Sequence, residues 1–424
     1  MPDTAKLSDF AFINPATDTN GTAAEAPVAF IPMAAVSEGG GWRSTENRPL
    51  SDGRRGYTLF QRGDVIVAKI TPCFENGKVA LLSDLETDYG LGSTEFHVLR
   101  AKPGHDPRFI YHWTRHPAFL RAGEASMTGS AGQRRVPTGF FERFGIVKIE
   151  GAPQGLIADI LDAIDDAIIA ADAVVEKLNL VREGLVQDLL TFGIREDGSS
   201  RNREALGATR LGLRPKDWAI CQIGEIAVHV GSGATPRGGK DVYVDDGALF
   251  VRSQNVHFDG LRLDDRTFIT LDTHRAMSGS EIFENDVLLN ITGASIGRCC
   301  AFLGYNGPAN VNQHVCAIRV PKATRADALY LSACLSADIG QRQIRTLLAG
   351  GSREGLNFGH VRSMVVPWPD AEERARIARA LEAIDRRITE EKTTGAKLEV
   401  LQLGLQDDLL NGRIEVVTVR EAAE

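Results

Sequence analysis

The sequence has few of the residues from which metal sites and disulfide scaffolds are built. Its 424 residues include six cysteines and nine histidines. No two cysteines form a CxxC pair, and Cys299 and Cys300 are adjacent, which suits neither a zinc knuckle nor an ordinary disulfide. The histidines show no HExxH or comparable ligand spacing. We therefore expect buried thiols and no metal site.

Long hydrophobic runs are also missing. No apolar stretch approaches the roughly 20 residues that cross a bilayer, and the N-terminus lacks the pattern of a signal peptide. Hydrophobic residues make up 43% of the chain and charged residues 25%, which is ordinary for a soluble globular protein. The sequence therefore predicts a cytoplasmic protein of two or three domains without a membrane partner.

The motifs of common catalytic sites are absent as well. Residues 231–241, GSGATPRGGKD, place Ala234 where a phosphate-binding loop needs glycine and Asp241 where it needs serine or threonine. Residues 14–16, Asn-Pro-Ala, lack the second proline and the aromatic residue with which a methyltransferase holds a flipped base. The acidic residues 370–373 are better explained as helix capping, and no Ser/His/Asp or Cys/His set has a recognisable spacing. We expect a non-catalytic chain that binds no cofactor.

What the chain does contain is an internal repeat. Residues 161–194, LDAIDDAIIAADAVVEKLNLVREGLVQDLLTFGI, return at 381–414 as LEAIDRRITEEKTTGAKLEVLQLGLQDDLLNGRI, with 13 of 34 positions identical and no gap. The shared Asp, Lys and Gly positions are not needed for amphipathicity, so two unrelated leucine-rich helices do not explain the likeness. The whole fold must therefore be interpreted with this repeat in mind.

Both copies of the repeat are predicted to be long helices with a coiled-coil seam. They run from about residue 153 to 190 and from about 371 to 410, and their apolar positions alternate three and four residues apart. The seam of the second copy is interrupted at Glu391 and Gly395. The residues predicted to pack helix on helix are Leu161, Ile164, Ile168, Val175, Leu178, Leu185, Leu189, Leu381, Ile384, Ile388, Leu398, Leu405 and Leu409.

The regions before the two helices echo each other too, at offsets between 219 and 222. We predict an α/β (α+β) fold of two duplicated domains, residues 1–150 and 215–370, with helices at 151–194 and 371–414, a linker at 195–214 and a tail at 415–424. If the second helix packs on the first, connectivity requires the two to be antiparallel. The domains are then separated by the coiled-coil helices and related by a pseudo-twofold axis.

The net charge of −8 is unevenly distributed. Residues 1–150 carry 17 basic and 17 acidic groups, whereas residues 151–200 carry 3 and 10 and residues 371–424 carry 9 and 12. The acidity therefore lies in the helical stretches, and the two domains are close to neutral. Acidic helices suit protein partners better than a phosphate backbone.

Loops rich in residue types that commonly contact DNA lie at matching places in both domains. Arginine reads guanine edges, asparagine and glutamine read adenine edges, and lysine, serine and threonine hold phosphates. For each residue alone a solvated loop side chain is the simpler explanation, but the clusters recur. The predicted DNA-binding residues are Lys69, Thr71, Asn76, Lys78, Gln133, Arg134, Arg135, Arg237, Arg252, Gln254, Asn255, Arg298, Asn312, Gln313, Arg353 and Asn357.

With these features the chain resembles the specificity subunit of a type I restriction–modification enzyme. The most specific pieces are GDVIVAKITPCFENGK at residues 63–78 and GSTEFHVLR at 92–100. GATP at 233–236 resembles the family's Gly-Gly-Thr-Pro but departs at Ala234. The opening of the second helix, from Glu372 to Ile388, resembles the family's helix, with Arg374 where glutamine is common.

The resemblance implies two target-recognition domains that each read one half of a split, asymmetric site on double-stranded DNA. It also implies that the helices dock two methyltransferase subunits, which carry S-adenosylmethionine, and that restriction subunits join through them. A related type IIB or other phage-defence specificity subunit is an alternative. So, less strongly, is a protein-binding scaffold, which the acidic net charge leaves open, whereas the missing motifs disfavour a stand-alone methyltransferase.

Overall fold

The computed structural model describes residues 3–43, 46–130, 132–236, 242–349 and 355–416, and only the backbone of residues 54 and 55. Its contacts divide the chain into two compact units. Unit 1 comprises residues 1–172 and 393–424, and unit 2 comprises residues 173–392. None of the helices in the described part of the chain is long and apolar enough to cross a membrane.

Unit 1 is built on two four-stranded sheets. In the first, the antiparallel order is β2-β9-β6-β7, and in the second it is β4-β3-β8-β5 with β3 and β8 parallel. A third, small sheet pairs β1 with β10. The strands are β1 (Thr4–Lys6), β2 (Ala11–Ile13), β3 (Pro27–Ile31), β4 (Glu46–Pro49), β5 (Thr58–Gln61), β6 (Val65–Ala68), β7 (Val79–Leu81), β8 (Tyr89–Gly92), β9 (Phe96–Ala101) and β10 (Gly145–Val147).

The helices of unit 1 are α1 (Leu7–Phe10), α2 (Pro107–Arg115), α3 (Pro117–Ala125), α4 (Thr138–Arg143) and the first part of α5 (Ala152–Phe192). Helix α2 ends before Pro117 and does not continue into α3. His116 has ψ 135°, the extended conformation that a residue preceding proline favours. His116 then caps α3, since its Nδ1 accepts from the amide of Ala118 over 3.2 Å.

Unit 2 repeats this arrangement. Its main sheets have the orders β14-β23-β20-β21 and β15-β19-β16-β22, with β16 and β22 parallel. The strands are β11 (Leu206–Thr209), β12 (Gly212–Pro215), β13 (Ala219–Gln222), β14 (His229–Ser232), β15 (Tyr243–Val244), β16 (Ala248–Val251), β17 (Val256–His257), β18 (Gly260–Leu261), β19 (Phe268–Ile269), β20 (Val287–Asn290), β21 (Cys299–Ala301), β22 (Ala309–Val311), β23 (Val315–Arg319) and β24 (Val365–Trp368). The mixed α/β class with two sheet-rich domains and long helices is confirmed.

The helices of unit 2 are α6 (Ile223–Ile226), α7 (Leu271–Ala276), α8 (Arg325–Ser336), α9 (Asp338–Ala349), α10 (Phe358–Ser363) and α11 (Ala371–Leu410), which shares its length with unit 1 as α5 does. The expectation that residues 195–214 form only a linker was wrong. Strands β11 and β12 pair as an antiparallel hairpin, with Thr209 opposite Gly212. Leu206 and Arg214 of this hairpin are buried, so the segment is part of the fold.

In each unit one inner strand is buried on both faces. It is β6 in unit 1 and β20 in unit 2. In β6, Val65 and Val67 pack with the helices around Phe109, whereas Ile66 and Ala68 pack with the second sheet. Strand β20 shows the same alternation, since its odd and even positions lie in two different cores. Burial on both faces explains why these strands are continuous apolar runs.

A buried ion pair closes the start of the central strand in both units. The guanidinium of Arg100 donates to both oxygens of Asp64 over 2.8 Å. Arg319 does the same to Asp286 over 2.8 and 2.7 Å. Both carboxylates are almost completely buried. Asp64 and Arg100 belong to the two segments that carry the family resemblance, and this pair joins the two segments.

Within each unit the two long helices run antiparallel. In unit 1 Leu161 shares a core with Leu409, and farther along Asp165 bonds to Gln402. In unit 2 Leu189 shares a core with Leu381, and the guanidinium of Arg182 binds the carboxylate of Asp385. None of the predicted seam residues is exposed. Leu161, Ile164, Leu189, Leu381, Ile388 and Leu409 are buried, and Ile168, Val175, Leu178, Leu185, Ile384, Leu398 and Leu405 are half-buried.

Candidate nucleic-acid interface

In unit 1 two loops meet where strand β6 ends. The amide of Val136 donates to the carbonyl of Lys69 over 2.8 Å, and the amide of Thr71 donates to the carbonyl of Arg134 over 3.0 Å. These backbone bonds bring Lys69 and Thr71 beside Arg134 and the exposed Gln133. Residues that are more than 60 positions apart in the sequence thus form one polar surface.

Carboxylates hold the arginines of this surface. Arg135 donates to both oxygens of Glu95 over 2.8 to 3.2 Å. Arg134 lies 3.5 Å from Glu75, to which the Thr71 hydroxyl also donates over 2.6 Å. The arginine side chains stay 40% and 42% exposed. The bond from Arg135 lowers the pKa of Glu95, so that carboxylate is charged at neutral pH. Arginine can donate to guanine edges or phosphates, and glutamate can accept from cytosine.

The other two predicted contacts of unit 1 are bonded elsewhere. The Asn76 amide donates to the carboxylate of Glu38 over 2.7 Å, and the Lys78 ammonium donates to the carbonyl of Met33 over 3.4 Å. Both side chains therefore hold the turn after β3. The structure does not join them to the surface around Arg135.

In unit 2 the equivalent strand β20 also ends in a meeting of loops. The amide of Leu356 donates to the carbonyl of Ile291 over 2.8 Å, and Thr292 pairs with Gly355 as an isolated bridge. Arg298 lies at the same strand end, where its carbonyl accepts from the amide of Asn290 over 2.8 Å. Among the described residues, the half-buried side chain of Arg298 has no hydrogen-bond or ion-pair partner.

Two further polar groups lie in unit 2. Arg252 and Gln254 both donate to one carboxylate oxygen of Asp265, over 3.0 and 2.5 Å. The exposed Gln313 is bonded to the ring of His314 over 3.0 Å. These side chains are at the surface, and a partner with its own acceptors could compete for the arginine and the glutamines.

Three further predicted DNA contacts of unit 2 are bonded within the protein. Asn255 is buried, and its amide donates to the carbonyl of Arg262 over 2.9 Å, so it closes a turn. Asn312 is also buried and accepts from the amide of His314 over 3.1 Å. Asn357 caps helix α10 by accepting from the amide of His360 over 2.8 Å. Asparagine in loops serves such turns and caps as readily as it serves base recognition.

Two predicted contacts, Arg237 and Arg353, lie outside the described residues. The sequence also missed the acids Glu75, Glu95 and Asp265, which set the charge of the candidate surfaces. No spacing could have found them, because Glu95 and Arg135 are 40 residues apart and meet only through the sheet. Within the described ranges, no group of three His, Cys, Asp or Glu side chains is placed to hold a metal ion.

The fold defines a duplicated mixed α/β protein whose two sheet-bearing units share two long helices. A solved chain from a type I restriction–modification system is similar to it, with a TM-score of 0.59 and 16% sequence identity over 97% of this chain and 98% of that one. At this identity the likeness concerns the fold alone.

Residues 215–400 match the family described as type I restriction modification DNA specificity domain. The EcoAI type I restriction enzyme specificity subunit of Escherichia coli is 44% identical over 140 residues, which cover 32% of this chain and 23% of that protein. The MjaVIII specificity subunit of Methanocaldococcus jannaschii is 23% identical over 294 residues, covering 69% of this chain and 67% of that one. The chain thus spans about a quarter of the first relative's length. The resemblance to type I specificity subunits is confirmed.

Proposed function

We propose that the chain is the DNA-recognition subunit of a type I restriction–modification complex. The observation that carries the proposal is the recurrence of a polar surface with a partly exposed arginine at the end of strands β6 and β20, in a chain whose second half matches a DNA specificity domain. In unit 1 this surface holds Lys69, Thr71 and Arg135. In unit 2 it holds Arg298, and Gln313 lies beside it because the carbonyl of the next residue, His314, accepts from the amide of Ile291 over 2.9 Å. The chain itself binds no cofactor and performs no chemistry in this proposal.

Each unit then reads one half of a split DNA site. Lysine and threonine at the strand end would hold phosphates and set the register, and the arginines and glutamines would reach base edges. The carboxylates of Glu75 and Glu95 orient the arginines before DNA arrives. Because the two surfaces differ in sequence, the two half-sites differ, and the complete site is asymmetric.

The long helices would dock two methyltransferase subunits, which carry S-adenosylmethionine, and restriction subunits would join through these in the cytoplasm. Exposed apolar residues at equivalent positions support this part. Leu180 and Val181 on α5 are 69% and 53% exposed, and Val400 and Leu401 on α11, 220 positions later, are 71% and 52% exposed. Apolar side chains that recur on a helix face without cover suit a protein partner.

Mapping of DNA methylation by the assembled complex tests the proposal. We expect Arg135→Ala to relax base preference in one half-site and Arg298→Ala to relax it in the other, since each change removes one donor from one unit. One lost base contact is worth about 1–3 kcal/mol. Exposed Arg275→Ala, on α7, serves as the control. Equal effects of Arg135→Ala on both half-sites, or methylation that is independent of this chain, would contradict the proposal.

A further inference from the structure

Unit 2 contains a cavity of about 530 Å³ between its helices and the turn after Val256. Helices α8 and α11 line two of its walls, with Leu329, Ala333 and Arg325, which is paired with Glu382, on the first and Asp385 and Arg386 on the second. The turn contributes Phe258 and Asp259. The proposed DNA contacts do not include any of these residues, so the cavity is not part of the candidate interface.

The duplicated unit shows what fills the same place in unit 1. Helix α2 follows its cap Asp106 as α8 follows its cap Thr324, so Tyr111 and Arg115 stand where α8 has Leu329 and Ala333. Strand register likewise pairs Leu81 of β7 with Ala301 of β21, which lines the cavity. Three large side chains of unit 1 are thus three smaller ones in unit 2.

In unit 1 the guanidinium of Arg115 occupies this space. It donates to the carbonyl of Gly39, in the turn after Val36, over 2.6 Å, and it binds the carboxylate of Asp165. It also lies 4.9 Å from the ring centre of Tyr111. With these partners the side chain of Arg115 is only 13% exposed and that of Asp165 only 17%.

In unit 2 the equivalent carboxylate, that of Asp385, is more exposed to solvent. Asp385 occupies the position of Asp165 in the repeat, and its partner Arg182 comes from helix α5. The Asp385 side chain is 46% exposed. A carboxylate offers about four acceptor sites, of which Arg182 takes two. At the mouth Phe258, 47% exposed, presents an aromatic ring on which a guanidinium can stack.

We propose that this cavity receives an arginine side chain from a protein that packs on α11, in the place that Arg115 fills within unit 1. The incoming guanidinium donates to Asp385 and stacks on Phe258, and its stem covers Leu329 and Ala333. The inference rests on the proposed docking function for the source of the arginine, but the recognition chemistry can be measured without a partner.

Ligand-observed NMR titration of the full-length chain with N-acetyl-L-arginine amide tests the cavity. The uncharged isostere N-acetyl-L-citrulline amide is the matched control. We expect saturable binding of the arginine probe that is at least fivefold tighter than that of citrulline. The double variant Leu329→Tyr, Ala333→Arg copies unit 1 into unit 2, and we expect it to weaken binding at least tenfold.

Because the double variant could fold poorly, Phe258→Ser provides a second arm, since this exposed ring can be removed without opening the core. It should weaken the arginine probe at least threefold. No saturable binding, equal binding of citrulline, or unchanged binding in both variants would overturn the inference. Methylation mapping with Phe258→Ser separates the two proposals, because loss of arginine binding with intact half-sites concerns docking and not DNA recognition.

Discussion

At the scale of single residues, the candidate DNA surface of unit 1 is a balance between arginines and the acids that hold them. Both carboxylate oxygens of Glu95 accept from the guanidinium of Arg135. This bond lowers the pKa of Glu95, so the carboxylate stays charged in the pair. A phosphate or a guanine edge must compete with this carboxylate. Specific binding is thereby favoured over loose attraction to any DNA.

Glu95→Gln should therefore raise non-specific DNA affinity of the assembled complex, because the guanidinium of Arg135 is no longer neutralised. We expect a gain of several-fold at low salt and a salt slope that is steeper by about one, as for one added phosphate contact. Fluorescence anisotropy with DNA that lacks the methylation site, at several salt concentrations, measures both. Glu86→Gln removes an exposed charge of the same unit, and an equal gain there would show a mere effect of net charge.

His97 gives unit 1 a dependence on pH. Its Nε2 lies 3.0 Å from the carbonyl of Val136, which can only accept, and its Nδ1 lies 2.9 Å from the amide nitrogen of Asn14. The oxygen of that Asn14 amide accepts from the Val98 amide, so its nitrogen donates and Nδ1 must stay unprotonated. Burial, the largest cause, lowers the pKa of His97 accordingly.

His97 therefore binds a proton with a pKa near 6.5 in the unfolded chain and with a lower pKa in the folded chain. The contribution of His97 to stability is complete above that value and is lost as the pH falls below it. We expect the midpoint of thermal unfolding of unit 1 to fall between about pH 7.5 and 5.5, and His97→Gln to flatten that fall. His116, whose pKa burial also lowers, should leave a residual slope. An unchanged slope in His97→Gln would refute this assignment.

At the scale of elements, the long helices separate the residues that hold them from those that face outward. Ile388 is buried on the seam, whereas Leu401 on the same helix is 52% exposed. The interruption at Gly395 leaves room for a side chain, since a Cβ there would lie 4.0 Å from Ala171, an ordinary van der Waals distance. An apolar residue on α11 can thus serve either packing or docking.

Ile388→Ala should destabilise the chain by about 2–5 kcal/mol, because it leaves a cavity in the seam. Leu401→Ala should change the free energy of unfolding by less than about 0.5 kcal/mol, as exposed substitutions do, yet weaken capture of the methyltransferase subunit. Chemical denaturation and a pull-down measure the two quantities. If Leu401→Ala were as destabilising as Ile388→Ala, the distinction between seam and docking face would be wrong.

How far the sequence predicts an element depends on whether its signal is local. Helix α11 was expected at about 371–410 and is Ala371–Leu410. The prediction succeeded because the apolar period lies within the helix and its cap, Asp370, directly precedes it. The hairpin Leu206–Pro215 was missed, since its strands are short and polar and one buried arginine gives no pattern. The same limit applies to the site. Strand ends could be located, but the burial of Asn255 depends on contacts that only the folded turn creates.

At the scale of the whole molecule, the two units of the duplicated fold differ in the ion pairs that bind their long helices. Arg108 binds Asp162 in unit 1, and Arg325 binds Glu382, the repeat partner of Asp162, in unit 2. The next acid along the helix is treated differently. Asp165 is neutralised by Arg115 of helix α2, and its repeat partner Asp385 by an arginine of the other long helix. The same repeat position is therefore bound by a different element in each unit.

Both long helices pass from one unit to the other, so their common length should set the gap between the half-sites. Seven residues inserted after Asp172 and seven after Lys392 add one heptad, which keeps the phase of the seam. They lengthen each helix by about 10.5 Å, or about three base pairs at 3.4 Å each. Methylation mapping should return the same two half-sites with a gap longer by about three base pairs.

The matched controls are a heptad in one helix only and five residues in both. The first misaligns the partners and the second turns the seam outward, so both should lower the thermal midpoint and abolish methylation. A heptad pair that leaves the gap unchanged would show that something other than the helices measures the spacing. Altered half-site sequences would show instead that the two units do not read DNA independently, because neither insertion touches a recognition surface.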